Sequence, residues 1–229
     1  MKPAKSPVIS LFFSTIIVLA VISIGVIWYN SNAQTSEIKF ETPPSAEGQP
    51  TLGAQNAAVT VVEFGDFKCP ACKSWGEGVF PALITDYIVT GQVKFVYINT
   101  NFHGEESRLA SLAAEAVLKQ SLESYWLFHK ALYDEQPPHQ NHDDVWITEE
   151  KILDIGSRVE GVDLELLQYS LENKTERAEV EKDDRLVEEY NINLTPTIMV
   201  NGITVEDPFD YERIKELIEK ELEGSKEDE

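Results

Sequence analysis

The chain opens on an unbroken apolar run. Val8 to Tyr29 holds 22 residues without a charge. As a helix rising ~1.5 Å per residue, such a run crosses a bilayer core of about 30 Å. Lys2 and Lys5 precede it, and no basic residue follows until Lys39. The positive-inside rule then puts the N-terminus in the cytoplasm and everything after Tyr29 outside, giving a single-pass protein of the cell membrane. Ser31-Asn32-Ala33 offers a small-x-small cleavage site, so a signal peptide is the alternative. The run exceeds the roughly 7–15 residues of a signal core, which favours an uncleaved anchor. Both readings deliver the same compartment.

Beyond the run the rhythm changes. Ser31 to Pro50 is rich in Ser, Thr, Glu, Gly and Pro and reads as a flexible tether. Val59 to Phe64 is short, apolar and β-branched, as a buried strand is. A turn over Gly65 to Lys68 leads to Cys69-Pro70, where proline suits the first turn of a helix. Val93 to Ile98 is a second strand. Thr197 to Val200 and Ile203 to Val205 flank Asn201-Gly202 and predict a hairpin with a type I′ turn. Tyr211 to Leu222 places Ile214, Leu217, Ile218 and Leu222 on one helical face. Between the second strand and the hairpin the pattern is helical: Ser107 to Lys119, Glu123 to Tyr133, Glu149 to Val159, Leu164 to Leu171 and Thr175 to Tyr190. Gln136 to Asp144 is a loop marked by Pro137-Pro138. The expected organisation is a stub and anchor over 1–30, the tether over 31–50, one folded domain over 51–223 with a helical insertion at about 103–191, and an acidic tail over 224–229.

Composition narrows the function. Hydrophobic residues form 42% of the chain, enough for a true core. The net charge of −21 excludes nucleic acid as a partner, because phosphate binding needs clustered Lys and Arg. The acidity reads as a soluble, self-repelling surface. There are two cysteines, three positions apart. A secreted domain stapled by disulfides carries more of them, spread along the chain.

Cys69 and Cys72 are one helical turn apart. At a helix start the Cys69 sulfur meets unpaired backbone N–H groups and the positive end of the macrodipole, which stabilises a thiolate. Lys68 adds a neighbouring positive charge that tunes the thiolate, and Asp66 opposes it. Cys72, inside the helix, is expected to be less exposed. Cys69 would form the mixed disulfide and Cys72 resolve it. A fall of two to four pKa units is worth roughly 3–5 kcal/mol to the reduced form. Two other readings compete. A zinc site needs two further ligands, which His139 and His142 offer from an acidic, Pro-rich loop. A structural disulfide over three residues closes almost no loop and stabilises little.

Glu63 interrupts the apolar strand six residues before Cys69. It either faces solvent or is buried near the cysteines, where its pKa rises and it relays a proton for Cys72. Thr195-Pro196 precedes the hairpin. A cis bond there opens the Thr195 backbone to a substrate strand. Trp75, Trp126, Phe128 and Tyr133 read as core. Glu179, Glu181, Asp183 and Asp184 suit a solvated helix face, with calcium as the alternative.

Glu63 to Cys72, followed much later by Leu194-Thr195-Pro196-Thr197, resembles the thioredoxin superfamily. The helical insertion resembles its DsbA branch, and the anchor and the Pro70-Ala71 dipeptide resemble its membrane-attached Gram-positive members. The resemblance covers roughly residues 50–222. It implies an α/β, thioredoxin-like fold with a helical insertion between the second and third core strands. It also implies Cys69 as nucleophile, Cys72 as resolving thiol, Glu63 as buried carboxylate and Pro196 as a cis-proline, with Pro70, Ala71 and Thr195 facing substrate. No cofactor beyond the Cys69–Cys72 pair is required, although some relatives of this type are thought to carry a structural calcium ion. Partners would be reduced exported proteins and a membrane quinone-linked thiol oxidoreductase. Familiar members carry His where this chain has Ala71, so the direction of electron flow stays open. The expected activity is disulfide oxidation, with reduction or isomerisation as one alternative and a non-enzymatic calcium- or partner-binding module as the other.

Overall fold

A computed structural model describes residues 38–138 and 144–227. Val8 to Tyr29, the first part of the expected tether, and His139 and His142 lie outside the described residues. No helix among the described residues is long and apolar enough to cross a membrane.

Five strands form one sheet in the order β1-β3-β2-β4-β5. They are β1 (Thr51–Gly53), β2 (Val59–Gly65), β3 (Val93–Asn99), β4 (Thr197–Val200) and β5 (Ile203–Thr204). β2 and β3 run parallel, pairing Val59 with Val93 and Gly65 with Asn99. β4 lies antiparallel on the other side of β2, with Glu63 opposite Ile198. The hairpin turn has φ 45° at Asn201 and 82° at Gly202, the two positive values a type I′ turn demands.

The central strands are apolar without interruption because both faces are covered. Val59, Val61, Phe95, Tyr97, Ile198 and Val200 join one buried cluster. Val62, Phe64, Val96, Ile98 and Met199 join another on the opposite face. The split follows the two-residue period of a strand. Glu63 shares the parity of Val59 and Val61, so the carboxylate points into the first, larger cluster.

Helix α1 (Pro70–Gly78) follows β2, and α2 (Phe80–Leu83) continues into a π-helical turn over Ile84–Ile88. Trp75 of α1 is fully buried, stacks on Phe80 and Phe95, and donates its ring N–H to the Pro208 carbonyl at 2.9 Å. Burying a side chain of this size contributes on the order of 3 kcal/mol, so Trp75 serves the core. The insertion between β3 and β4 comprises α3 (Glu105–Gln120), α4 (Leu122–Asp134), α5 (Glu149–Ser157), α6 (Leu164–Asn173) and α7 (Arg177–Glu189). Ser121, Thr148 and Asp163 cap three of these helices through side-chain oxygens. Phe128 and Tyr133 are buried, and Trp126 packs at the edge of the same cluster. The closing helix α8 (Tyr211–Glu227) buries Ile214, Leu217 and Ile218 and runs past the expected end at Leu222.

Part of the expected tether is structured. Lys39 bridges to Ile203, and the Phe40 N–H donates to the Gly202 carbonyl at 3.0 Å. The Phe40 ring meets Tyr190 edge-on at 4.9 Å. Strand β1 was not anticipated either. It is three residues long, too short for an alternation to register, and pairs antiparallel with β3.

Candidate active site

Cys69 is the N-cap of α1, with extended backbone (φ −76°, ψ 120°), and Pro70 opens the first turn. Both cysteines are buried and free, so this is the dithiol form. The Cys69 thiol is lowered from 9.0 to about 6. A hydrogen bond from the Cys72 thiol is the largest cause, helped by Thr195 and by the backbone amides of Cys72 and Ala71, against the opposing effect of burial. These amides are the unpaired donors of a helix N-terminus. Cys72 is pushed well above its usual value by burial, by its bond to Cys69 and by the charge of Glu63. The two thiols therefore differ in acidity in the sense expected from their places on the helix.

Glu63 is 3% exposed, and its Oε1 has no hydrogen-bond partner. Burial, then the charge of Cys69, pushes its carboxyl well above the usual range. This is the buried alternative, not the solvent-facing one. The Thr195–Pro196 bond is cis. The Cys69 thiol donates to the Thr195 carbonyl at 3.4 Å. Pro70 is exposed, Ala71 half-buried and Pro196 buried. Cys69, Cys72, Glu63, Thr195 and Pro196 are thus brought together from β2, α1 and the loop before β4.

Lys68 is anchored from the insertion. It is 5% exposed, and its ammonium forms an ion pair with Glu106 of α3. Glu106 also accepts the Trp146 and Ile147 N–H groups at 2.8 and 2.9 Å. Lys68 ties α3 to the cysteine loop through this pair.

Asp66, read in the sequence only as an opposing charge, organises the loop together with His103, Ser107 and Gln136. Asp66 is fully buried. Its Oδ1 accepts the Lys68 N–H at 2.8 Å. Its Oδ2 accepts from the Phe102 and His103 N–H groups, from the Ser107 hydroxyl, and from His103 Nδ1 at 2.8 Å. The Gln136 amide donates to the carbonyls of Phe67 and Cys69. An Asp just after a buried strand was a readable hint of a buried acceptor, but its partners lie far along the chain.

The acidic residues of α7 scatter. Glu179 pairs with Lys119, Glu181 with Arg177, and Asp184 with Arg108. Asp183 departs from the solvated-face reading, being 1% exposed. It shares the Asn99 side-chain N–H group with Glu115, each at 2.8 Å, and accepts from Gln49 Nε2 at 2.6 Å. Burial raises Glu115 to about 8 and Asp183 to about 6. The amide oxygens of Gln49 and Asn99 have no partner. Among the described residues no group of three or more His, Cys, Asp or Glu forms a metal cluster.

Comparison with known proteins agrees with this geometry. A family profile described as "Thioredoxin" matches residues 45–220. Disulfide bond formation protein D of Bacillus subtilis is 42% identical over 195 residues, covering 85% of this chain and 86% of that protein. The crystal structure of oxidised BdbD from Bacillus subtilis superposes with a TM-score of 0.76 at 43% identity, covering 81% of this chain and 98% of that one. DsbA of Chlamydia trachomatis shares the fold at a TM-score of 0.66 and 20% identity, covering 80% of this chain and 96% of that one.

Proposed function

The chain belongs to the DsbA-like branch of the thioredoxin family and is a thiol–disulfide oxidoreductase, and from that premise we propose that it acts as an oxidase, transferring its Cys69–Cys72 disulfide to exported proteins. The observation that carries this direction is the split in acidity between the two thiols. A Cys69 thiol at about 6 is mostly thiolate at neutral pH, which favours the reduced pair and makes the disulfide oxidising. At pH 7 that shift is worth about 1.4 kcal/mol, or about 30 mV, because only the interval between the folded pKa and the working pH counts.

In this reading a client thiolate attacks the Cys69 sulfur and expels Cys72 as a thiolate. Neutral Glu63 gives Cys72 its proton. A second client thiol, deprotonated, attacks the client sulfur of the mixed disulfide and releases Cys69, whose low pKa makes it a good leaving group. The client leaves with a disulfide and the pair is left reduced. The Thr195 carbonyl beside Cys69 would pair with the client's backbone, Pro196 would fix that loop, and exposed Pro70 and Leu194, with half-buried Ala71, would form the rim. Reoxidation falls to a membrane quinone-linked thiol oxidoreductase. The uncharged run at Val8 to Tyr29 supports an extracytoplasmic domain held by an N-terminal anchor.

Equilibration of the pair with glutathione buffers tests the direction. A potential near −180 mV or higher fits an oxidase. A potential near about −270 mV would favour the reductase or isomerase reading instead.

The buried Glu115–Asp183 pair favours a second proposal, a structural calcium ion. The amide nitrogens of Asn99 and Gln49 face these carboxylates here, and with the two amides turned over their unpartnered oxygens would join the carboxylates in an all-oxygen donor set of the kind calcium takes. Glu115, Asp183, Gln49 and Asn99 would hold it, and its charge would offset two buried carboxylates.

A further inference from the structure

We propose that His103, in the loop between β3 and α3, supplies the positive charge that stabilises the Cys69 thiolate, acting from its bond to Asp66. It is a positioning residue for the exchange chemistry, and the inference rests on the reading of Cys69 as the nucleophile.

The dipeptide between the cysteines, Pro70-Ala71, carries no charge. The nearest lysine in sequence, Lys68, has its ammonium on Glu106. Asp66 links what remains. Its carbonyl accepts the Cys69 N–H at 2.9 Å, and its own N–H reaches the Cys72 sulfur at 3.5 Å. Its side chain, fully buried, holds His103 Nδ1 at 2.8 Å. One residue thus touches both cysteines through its main chain and the imidazole through its carboxylate.

The charges settle the sign. A buried carboxylate beside a forming thiolate opposes it. With His103 protonated, the Asp66–His103 pair is neutral overall. With His103 neutral, the pair carries one negative charge under the cysteine loop. Thiolate and imidazolium therefore favour each other. The imidazole is raised above its usual value, first by its bond to Asp66 and also by the charge of Cys69, while burial and the charge of Lys68 oppose. Coupling between two sites is reciprocal, so what Cys69 does to His103, His103 does to Cys69. Among the described residues, the titratable groups that bear on the imidazole include Asp66, Lys68 and Cys69, with Glu106 paired to Lys68. The Phe102 and His103 N–H groups and the Ser107 hydroxyl also hold Asp66, so the loop keeps its other bonds when the imidazole is replaced.

The test uses the full-length protein, reduced, with the alkylated cysteine identified by mass mapping. His103→Gln should raise the pKa of Cys69, read from thiolate absorbance and from the pH profile of iodoacetamide labelling. It should also lower the preference for the reduced form against glutathione by about three- to tenfold, the effect of one partly screened charge. His103→Arg should restore both. In the wild type the His103 imidazole pKa, followed by NMR, should fall when the pair is oxidised. This last measurement needs no variant to fold. Cys69 labelling with an unshifted profile in His103→Gln, or an imidazole pKa equal in both redox forms, overturns this inference alone. Labelling at Cys72 in the wild type overturns the reading of the site and this inference with it.

Discussion

The sulfur of Cys69 lies 3.4 Å from the carbonyl oxygen of Thr195, 126 positions away in sequence. In the proposed mechanism this sets the sulfur that a client thiolate attacks beside the carbonyl that would pair with the client's backbone. Cys72, fully buried one turn deeper, has no such access. Cys69→Ser should abolish oxidation of a reduced client protein. Cys72→Ser should instead accumulate Cys69-linked mixed disulfides, visible on a non-reducing gel. Activity retained in Cys69→Ser would defeat the site assignment.

The acidity of Cys69 has a thermodynamic counterpart. Its folded-state pKa, about 6, is depressed below the unfolded value, so the stability it contributes is present above the unfolded pKa and is lost as pH falls through about 6. The reduced protein should gain on the oxidised one between about pH 6 and 9, approaching about 4 kcal/mol in full, since each pKa unit is worth about 1.4 kcal/mol. Paired denaturant titrations across that window measure the difference. A constant difference would refute it.

Glu63 has the opposite sign. Its folded pKa is raised, so its contribution is present below the unfolded pKa and lost as pH rises. Glu63→Gln should therefore raise the melting temperature at neutral pH. It should also slow the step in which Cys72 exchanges its proton, seen as slower single-turnover oxidation of a client thiol. A variant that is neither more stable nor slower would argue against the buried carboxylate as proton carrier.

Gly65 ends β2 against the ring of Tyr97. A Cβ there would fall 2.5 Å from the ring. Tyr97 is fully buried and its hydroxyl bonds that of Tyr133 at 2.8 Å, so it has no room to turn aside. Gly65→Ala should cost about 1–3 kcal/mol, the usual cost of overpacking, measured by chemical denaturation. An unchanged midpoint would mean the Tyr97 ring gives way freely.

Calcium should raise the melting temperature of the metal-free protein, and Glu115→Gln should remove most of that response. Because burial holds Glu115 at about 8 and Asp183 at about 6, the ion must displace protons. The response should grow from pH 6 to pH 8. A calcium-independent melting temperature at pH 8 would exclude the site.

Four of the five strands, the order of those elements and the cysteine helix were legible in the sequence because each rests on local period or on proline. What escaped depends on distant partners. Asp66 became a hub through residues of α3 and the loop before it. Lys68 was legible as a charge beside Cys69, but its partner Glu106 lies on α3, 38 positions away. The Asp183 case is different, because a signal was present. Val180 and Asp183 are three apart and Val187 follows four later, a helical spacing that puts the Asp on the covered face. Residues 38–50 have the composition of a linker, and their order comes from an unpaired strand and an aromatic partner elsewhere.

That segment has a consequence of its own. A sheet ending on β5 would present free N–H and C=O groups to any passing strand, the usual seed of edge-to-edge aggregation. Here the chain folds back over that margin, with the Thr204 N–H donating to the Ile38 carbonyl at 2.9 Å and Lys39 set opposite Ile203. The opposite margin is closed by a strand of only three residues. In the proposed function the clients bring extended strands, and blunted margins would steer such a strand to the cysteines instead of the sheet edge.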